Sequence, residues 1–302
     1  TQNGNIYDIT GGTRPGNGLN LFHSFGEFGV PTSNMANFLN DSGLTTSNIL
    51  AHVTAGNPSS IFGTIQTTGF VNANLFLMNP AGIVFGPKAS LNVGGSVTFT
   101  TANYLRLAEA NGTNAGVFHA DPGVRTLLTS SPVVAFGFLG STPAAIAVQG
   151  SNLSVPTGQA ISLVGGNQAF TYPDPDTGNT ASVPRGVTMT GGTLSAHAGQ
   201  INMVSVASVG EVLSSPFQPT SGMTLGSINL SPGTFVDVSG DAAGTVRIRS
   251  GQLVMENATI SADTANSNGS PIAIDINTTG DVGISNGTTP ALTARTQGTG
   301  NV

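Results

Sequence analysis

The sequence predicts an all-β solenoid. Three observations support this: a turn-rich, weakly charged composition, short apolar runs of period two, and imperfect repeats of about 20–30 residues. The 302 residues include 42 Gly and 17 Pro, and only 7% are charged. A hydrophobic share of 38% with a formal net charge of −6 supplies apolar surface for a core and too little charge for disorder. All-β units commonly reach this size as one body.

Period-two runs recur along the chain. Thr245 to Arg249 places Val246 and Ile248 on one face and both arginines on the other. Pro271 to Ile276 points Ile272, Ile274 and Ile276 inward and Asp275 outward, so Ile274→Asp is expected to cost several kcal/mol. Gly226–Leu230, Phe235–Val238 and Ala258–Ala262 repeat the theme. Gly, Ser, Asn or Pro bounds each run, which is the signature of strands and turns. The runs also echo one another. Gly158–Val164 is matched by Gly199–Val204, and Thr234–Ser239 by Ala258–Asp263, 24 positions later (258 − 234). A propeller blade needs about 40 residues and helical repeats need helical periodicity, so stacked β-coils about 4.8 Å apart fit best.

Element boundaries follow from composition. Residues 1–69 differ from the later repeats and are expected to cap the first coil, which would otherwise present an open edge. Residues 70–169 and 187–302 are expected to form coils. Residues 170–186, with Pro173, Pro175 and Pro184, are expected to be a loop extruded from the stack. The closing Thr299–Val302 carries no stop signal, so the solenoid is expected to continue as part of a longer protein. The chain opens at Thr1 with no Met and no basic or apolar segment, so any export signal is expected to have been removed.

Composition also narrows the function. Eight basic residues, of which Lys88 is the only Lys, cannot form a phosphate-neutralising patch, so no nucleic-acid partner is expected. Without Cys there is no disulfide, thiolate metal site or thiol catalysis, and a chain that must cross a membrane unfolded is spared premature crosslinks. No run approaches the roughly 18 apolar residues of a membrane helix, so the protein is expected not to be an integral membrane protein. His23, His52, His119 and His197 are scattered, and neither metal nor cofactor is expected. The loop Asp174–Asn179 lacks the third acidic ligand of a calcium loop. Asp237, Asp241, Glu256, Asp263, Asp275 and Asp281, near Arg247 and Arg249, could in principle supply a glycosidase carboxylate pair. They are read instead as solvated outward positions.

One segment carries chemistry of its own kind. Asn79-Pro80-Ala81-Gly82 has the residue preferences of a type I β-turn, with Asn at i, Pro at i+1 and Gly at i+3, and joins the apolar runs Leu75–Met78 and Ile83–Phe85. Asn57-Pro58-Ser59 lies a little upstream and is not equated with that turn. The stretches Asn48–Gly63, Asn74–Gly86 and Leu91–Ser96 resemble the N-terminal domain of filamentous-haemagglutinin-type exoproteins of the two-partner secretion pathway. They look most like cyanobacterial members. Weaker resemblance runs through Gly191–Val212, so it covers about two-thirds of the chain.

That resemblance implies a right-handed parallel β-helix with a capped N-terminus. It also implies a secretion and targeting role, without catalysis, for a protein reaching the surface or medium of a Gram-negative bacterium through the periplasm. Its expected partner is an outer-membrane β-barrel transporter with periplasmic POTRA domains, and the domain itself is expected to be a monomer. The hallmark turn of the family is Asn-Pro-Asn-Gly-Ile, which this chain matches at Asn79, Pro80, Gly82 and Ile83 and departs from at the third position, Ala81. Residues 79–83 and 57–59 are therefore candidates either for transporter recognition or for nucleating the fold. Two other readings compete with secretion: an adhesin module that binds glycan or a cell surface, and a β-helical polysaccharide-active enzyme.

Overall fold

The computed structural model describes residues 1–109, 111 and 113–296, and the expected continuation at Thr299–Val302 lies outside them. The chain is a parallel β-helix with three faces. An eight-stranded sheet stacks Asn20–Phe25, Asn48–Val53, Asn74–Met78, Val97–Thr100, Ala160–Gly166, Gln200–Val206, Thr245–Ser250 and Ile274–Thr278, neighbour to neighbour and all parallel. On the second face seven strands of a ten-stranded sheet run from Ser59–Ile61 to Val282–Ser285, and the same sheet turns onto the third face. The third face begins with Ile6–Ile9, Met35–Leu39, Thr64–Thr68 and Ser90–Asn92. It continues through Asn152–Ser154, the far half of Val187–Ser195, the far half of Ser227–Asp237, and Thr259–Ser261.

The repeats read from the sequence are strands in adjacent coils. Ile161 pairs with Ile201, and Phe235 with Thr259 at the 24-residue offset. The inward rows fuse into one core that includes Ile49, Leu75, Phe99, Ile161, Ile201, Val246, Ile228, Leu253, Val236 and Ile260. Amide ladders reinforce the stacking. Asn48 Nδ2 donates to Asn20 Oδ1 at 2.8 Å and Asn74 Nδ2 to Asn48 Oδ1 at 3.1 Å. Each amide thus satisfies the next coil, which fixes register as well as stability.

The stretch 1–69 holds a short antiparallel pair, Gln2–Asn3 with Ile6–Ile9, at its start. Thr13 then exchanges two backbone hydrogen bonds of 2.9 Å with Phe22, which closes over the first coil. Parallel coil pairing already begins at Ile6–Ile9, which stacks on Met35–Leu39, and continues from Asn20 on the next face, well inside the stretch expected to be a cap.

Three insertions depart from the solenoid, all at the corner between the eight- and ten-stranded sheets: residues 101–145, 167–186 and 207–226. The first and third build a four-stranded antiparallel sheet from Tyr104–Ala108, Asn114–His119, Val133–Phe138 and Gly210–Leu213. Its apolar face, with Leu105, Leu107, Phe118, Phe136 and Val212, packs on Phe22, Leu50, Met78, Val164 and Val204. The strands beneath this layer are therefore buried on both sides, which is why Ile49-Leu50-Ala51 are consecutively apolar and all fully buried. Glu211 anchors the layer. It accepts Tyr104 Oη at 2.9 Å and Arg106 Nη2 at 2.8 Å, and burial followed by the bond to Glu211 pushes the Tyr104 phenol up to about 12.

The second insertion is a β-hairpin, Phe170–Pro173 against Thr180–Val183, where a plain loop is expected from its prolines. Tyr172 and Val183 are buried against Phe62, Val84 and Ala147, so hydrophobic packing holds the hairpin to the helix. At its tip Asp174 Oδ1 accepts the N–H groups of Asp176 and Thr177, an Asx turn that tightens the bend.

One position expected to face outward and one expected to face inward also differ from expectation. Arg249 is buried, with its guanidinium on Asp275 at 2.6 Å and 3.0 Å, because the two residues stand side by side in paired strands. Ile272 is exposed, since the strand starts only at Ile274. Ile274 and Ile276 are half-buried because theirs is the last strand of the sheet.

Candidate functional site

Both Asn-Pro turns lie at the corner that extrudes the insertions: residues 54–58 between Asn48–Val53 and Ser59–Ile61, and 79–82 between Asn74–Met78 and Ile83–Phe85. The strands on either side bury Leu77 and Ile83 in the solenoid core and Met78 under the antiparallel sheet, which leaves the turn at the rim. Gly82 N–H donates to Asn79 O at 3.1 Å, and Ala81 N–H donates to Asn79 Oδ1 at 3.0 Å. Ala81 is not among the residues with positive φ, in keeping with a type I turn.

The Asn79 side chain ties the two turns together. It is 1% exposed, and its Nδ2 donates to Asn57 O and to Ser59 Oγ, both at 2.9 Å. Ser59, also buried, donates its N–H to Gly82 O at 3.0 Å. Every polar group of the Asn79 amide is thus spent within the fold. Asn57 is exposed and donates to Glu27 Oε1 at 2.6 Å, which extends the staple to the first coil. Gly82 has φ +119°, and a Cβ there would stand 2.4 Å from the Phe170 ring of the hairpin. Sequence reasoning missed Glu27 and Phe170, and no local pattern could reveal them, because the solenoid brings them in from other coils.

The turns separate two clefts. One, of about 280 Å³, lies between Pro80–Ala81 and the antiparallel sheet, with Val53, His119, Val124 and Leu139 in its walls. The other, of about 570 Å³, lies between Asn57–Pro58 and the hairpin, with Phe28, Pro31, Thr171 and Pro173 in its walls. Pro80 and Ala81 are half-exposed, Pro58 likewise, and Ile83 is fully buried.

Beneath the first cleft, His52 is buried in a stack on Phe118 with ring centroids 4.3 Å apart, and its Nδ1 meets His119 O. Burial lowers its pKa, with the backbone bond to His119 opposing. His23 is lowered for the same first reason, opposed by Asp41.

The acidic residues of the last third do not converge. Asp275 is taken by Arg249 and Asp241 by Asn266 and Ser267, while Asp237 and Asp263 line one shallow groove. Ser195, His197 and Asp237 fall in the order of a nucleophilic triad. However, His197 Nδ1 bonds Ser239 O at 2.8 Å, and the Asp237 carboxylate stands 3.8 Å away. Among the described residues no group of three or more His, Asp or Glu could hold a metal ion, and no helix is long and apolar enough to cross a membrane.

Fold and strand pairing define the chain as an all-β protein of the parallel β-helix class. Residues 1–248 match the family model of the TPS secretion domain, and the chain belongs to that family. Its place is thus in two-partner secretion, as the secretion domain of a secreted exoprotein with a transporter as partner. No curated protein matches the chain.

Proposed function

We propose that this domain directs a large exoprotein of the filamentous-haemagglutinin type from the periplasm of a Gram-negative bacterium to an outer-membrane β-barrel transporter bearing POTRA domains. There it nucleates folding of the β-helix outside the cell. The observation that carries this reading is the staple. Asn79 joins Asn57, Ser59 and Ala81 across two successive coils, so the first coils lock before any insertion is needed. On this reading residues 57–59 and 79–83 act chiefly by shaping the fold, and Ala81 is tolerated in place of the family's Asn because its side chain has no partner to replace.

The test is export of the domain behind a signal peptide in a Gram-negative host, with and without the cognate transporter. Appearance in the medium that depends on the transporter and is lost on deleting residues 1–100 is expected. Equal periplasmic retention of folded protein in both hosts would sink the proposal. Two variants separate shaping from recognition. Asn79→Ala strands buried polar partners and should cost about 1–3 kcal/mol together with export. Ala81→Asn at a half-exposed position should change stability by less than about 0.5 kcal/mol and leave export as it was. A change in export by Ala81→Asn at unchanged stability would mean the turn is read directly.

A further inference from the structure

On the third face, far from the stapled turns, a groove of about 310 Å³ opens between adjacent coils, lined by Phe235, Asp237, Ser239, Ser261, Asp263 and Thr264 among others. We propose that this groove binds a neutral sugar unit of a polysaccharide, with Phe235 as the stacking platform and the two carboxylates as hydroxyl acceptors.

Each part is held in place by the ladder. Phe235 sits on an outward position beside Thr259 and stays 37% exposed, which leaves its ring open to a ligand. Asp237 pairs in register with Ser261 on the next coil, and its Oδ1 accepts Ser239 N–H at 2.9 Å. Asp263 Oδ1 accepts Arg295 N–H at 2.9 Å, and its own N–H goes to Ser239 Oγ at 3.0 Å. Among the described residues, neither carboxylate Oδ2 has a contact shorter than the 3.8 Å approach of His197 to Asp237. Thr264, 1% exposed, also lines the groove, and its buried hydroxyl has no partner among the described residues.

The chemistry selects the ligand. A pyranose offers an apolar C–H face and a rim of hydroxyl donors, which suit a flat aromatic ring and paired carboxylates. The lining holds no basic side chain, so sulfated or uronic chains meet repulsion. Two carboxylates fall short of a metal site, in line with the absence of any group of three potential ligands among the described residues. The inference is independent of the secretion reading, since the groove lies on another face and in later coils.

The test is calorimetric titration of the whole chain with neutral glucose, mannose and galactose hexasaccharides and with a sulfated hexasaccharide, in EDTA. Phe235→Ala and Asp237→Asn serve as comparisons. Both side chains point outward, and unchanged melting and circular dichroism would show that the variants are folded. Binding of at least one neutral probe, weakened tenfold or more in each variant, is expected. Four results would overturn the proposal: no neutral probe bound at millimolar concentration, affinity within twofold in both variants, preference for the sulfated chain, or binding that appears only when calcium replaces EDTA.

Discussion

At the residue scale, buried imidazoles set the response to acid. His23 and His52 are held below the ordinary value of 6.5 chiefly by burial, so the unfolded chain takes up protons before the folded one does. Their contribution is fully present above pH 6.5 and is lost as pH falls through the folded-state values. The urea midpoint is therefore expected to drop between pH 8 and 5.5, and the drop should shrink in a His23→Gln, His52→Gln double variant. An identical slope in that variant would place the acid sensitivity elsewhere. None of this was legible in the sequence. His52 looked like one of four scattered histidines, and the Phe118 that stacks on it lies 66 positions away (118 − 52). Asn79 was legible as a turn residue from its neighbours Pro80 and Gly82, but its bonds to Asn57 and Ser59 depend on the coil pitch, which no local motif encodes.

At the scale of the element, period two identified the strands and their inward rows wherever the outer face meets water. Val246 and Ile248 are fully buried, and Val236, Val238 and Ile260 behave likewise. The pattern failed where a second layer covers the sheet. Leu50, Met78, Val164 and Val204 point outward and are nonetheless buried, so the alternation breaks into apolar runs at Ile49–Ala51 and Leu75–Met78 and apolar pairs at Leu163–Val164 and Met203–Val204. Such runs are the trace a covering layer leaves in the sequence, and they could have announced the antiparallel sheet. Strand position also sets the cost of a charge. Ile248→Asp places a carboxylate in the closed core and should cost roughly 3–5 kcal/mol, enough to prevent folding in a marginal background. Ile274→Asp, on a half-buried edge strand, should cost distinctly less, because the carboxylate can turn towards water. Equal losses of urea midpoint in the two variants would mean that the last strand is as enclosed as the middle of the sheet.

At the scale of the whole molecule, the solenoid and its stacking offsets were readable from repeats alone, whereas its first coils were not. The stretch before Gly69 lacks the later repeat pattern because the antiparallel pair and the crossing at Thr13 interrupt it, yet parallel pairing runs through it from Ile6. The structural reason for those interruptions suggests an experiment. Removing residues 1–9 bares the strand Met35–Leu39, whose backbone groups then seek another strand. Light scattering is expected to show dimers or larger species for the truncated chain and a monomer for the intact one. A monodisperse truncated monomer would mean that the edge is protected by other means.

The three excursions leave by the same corner, and the pairing rows on either side take no account of them. Strands 40 or 64 residues apart in the chain pair as evenly as strands 22 apart, as Ile201 on Ile161, Ile161 on Val97 and Val97 on Leu75 illustrate. Contour length and axial advance are thus uncoupled along one seam of the molecule. Such a seam works as a port: segments of quite different size can be spliced in there and displayed sideways, while the shaft keeps its pitch.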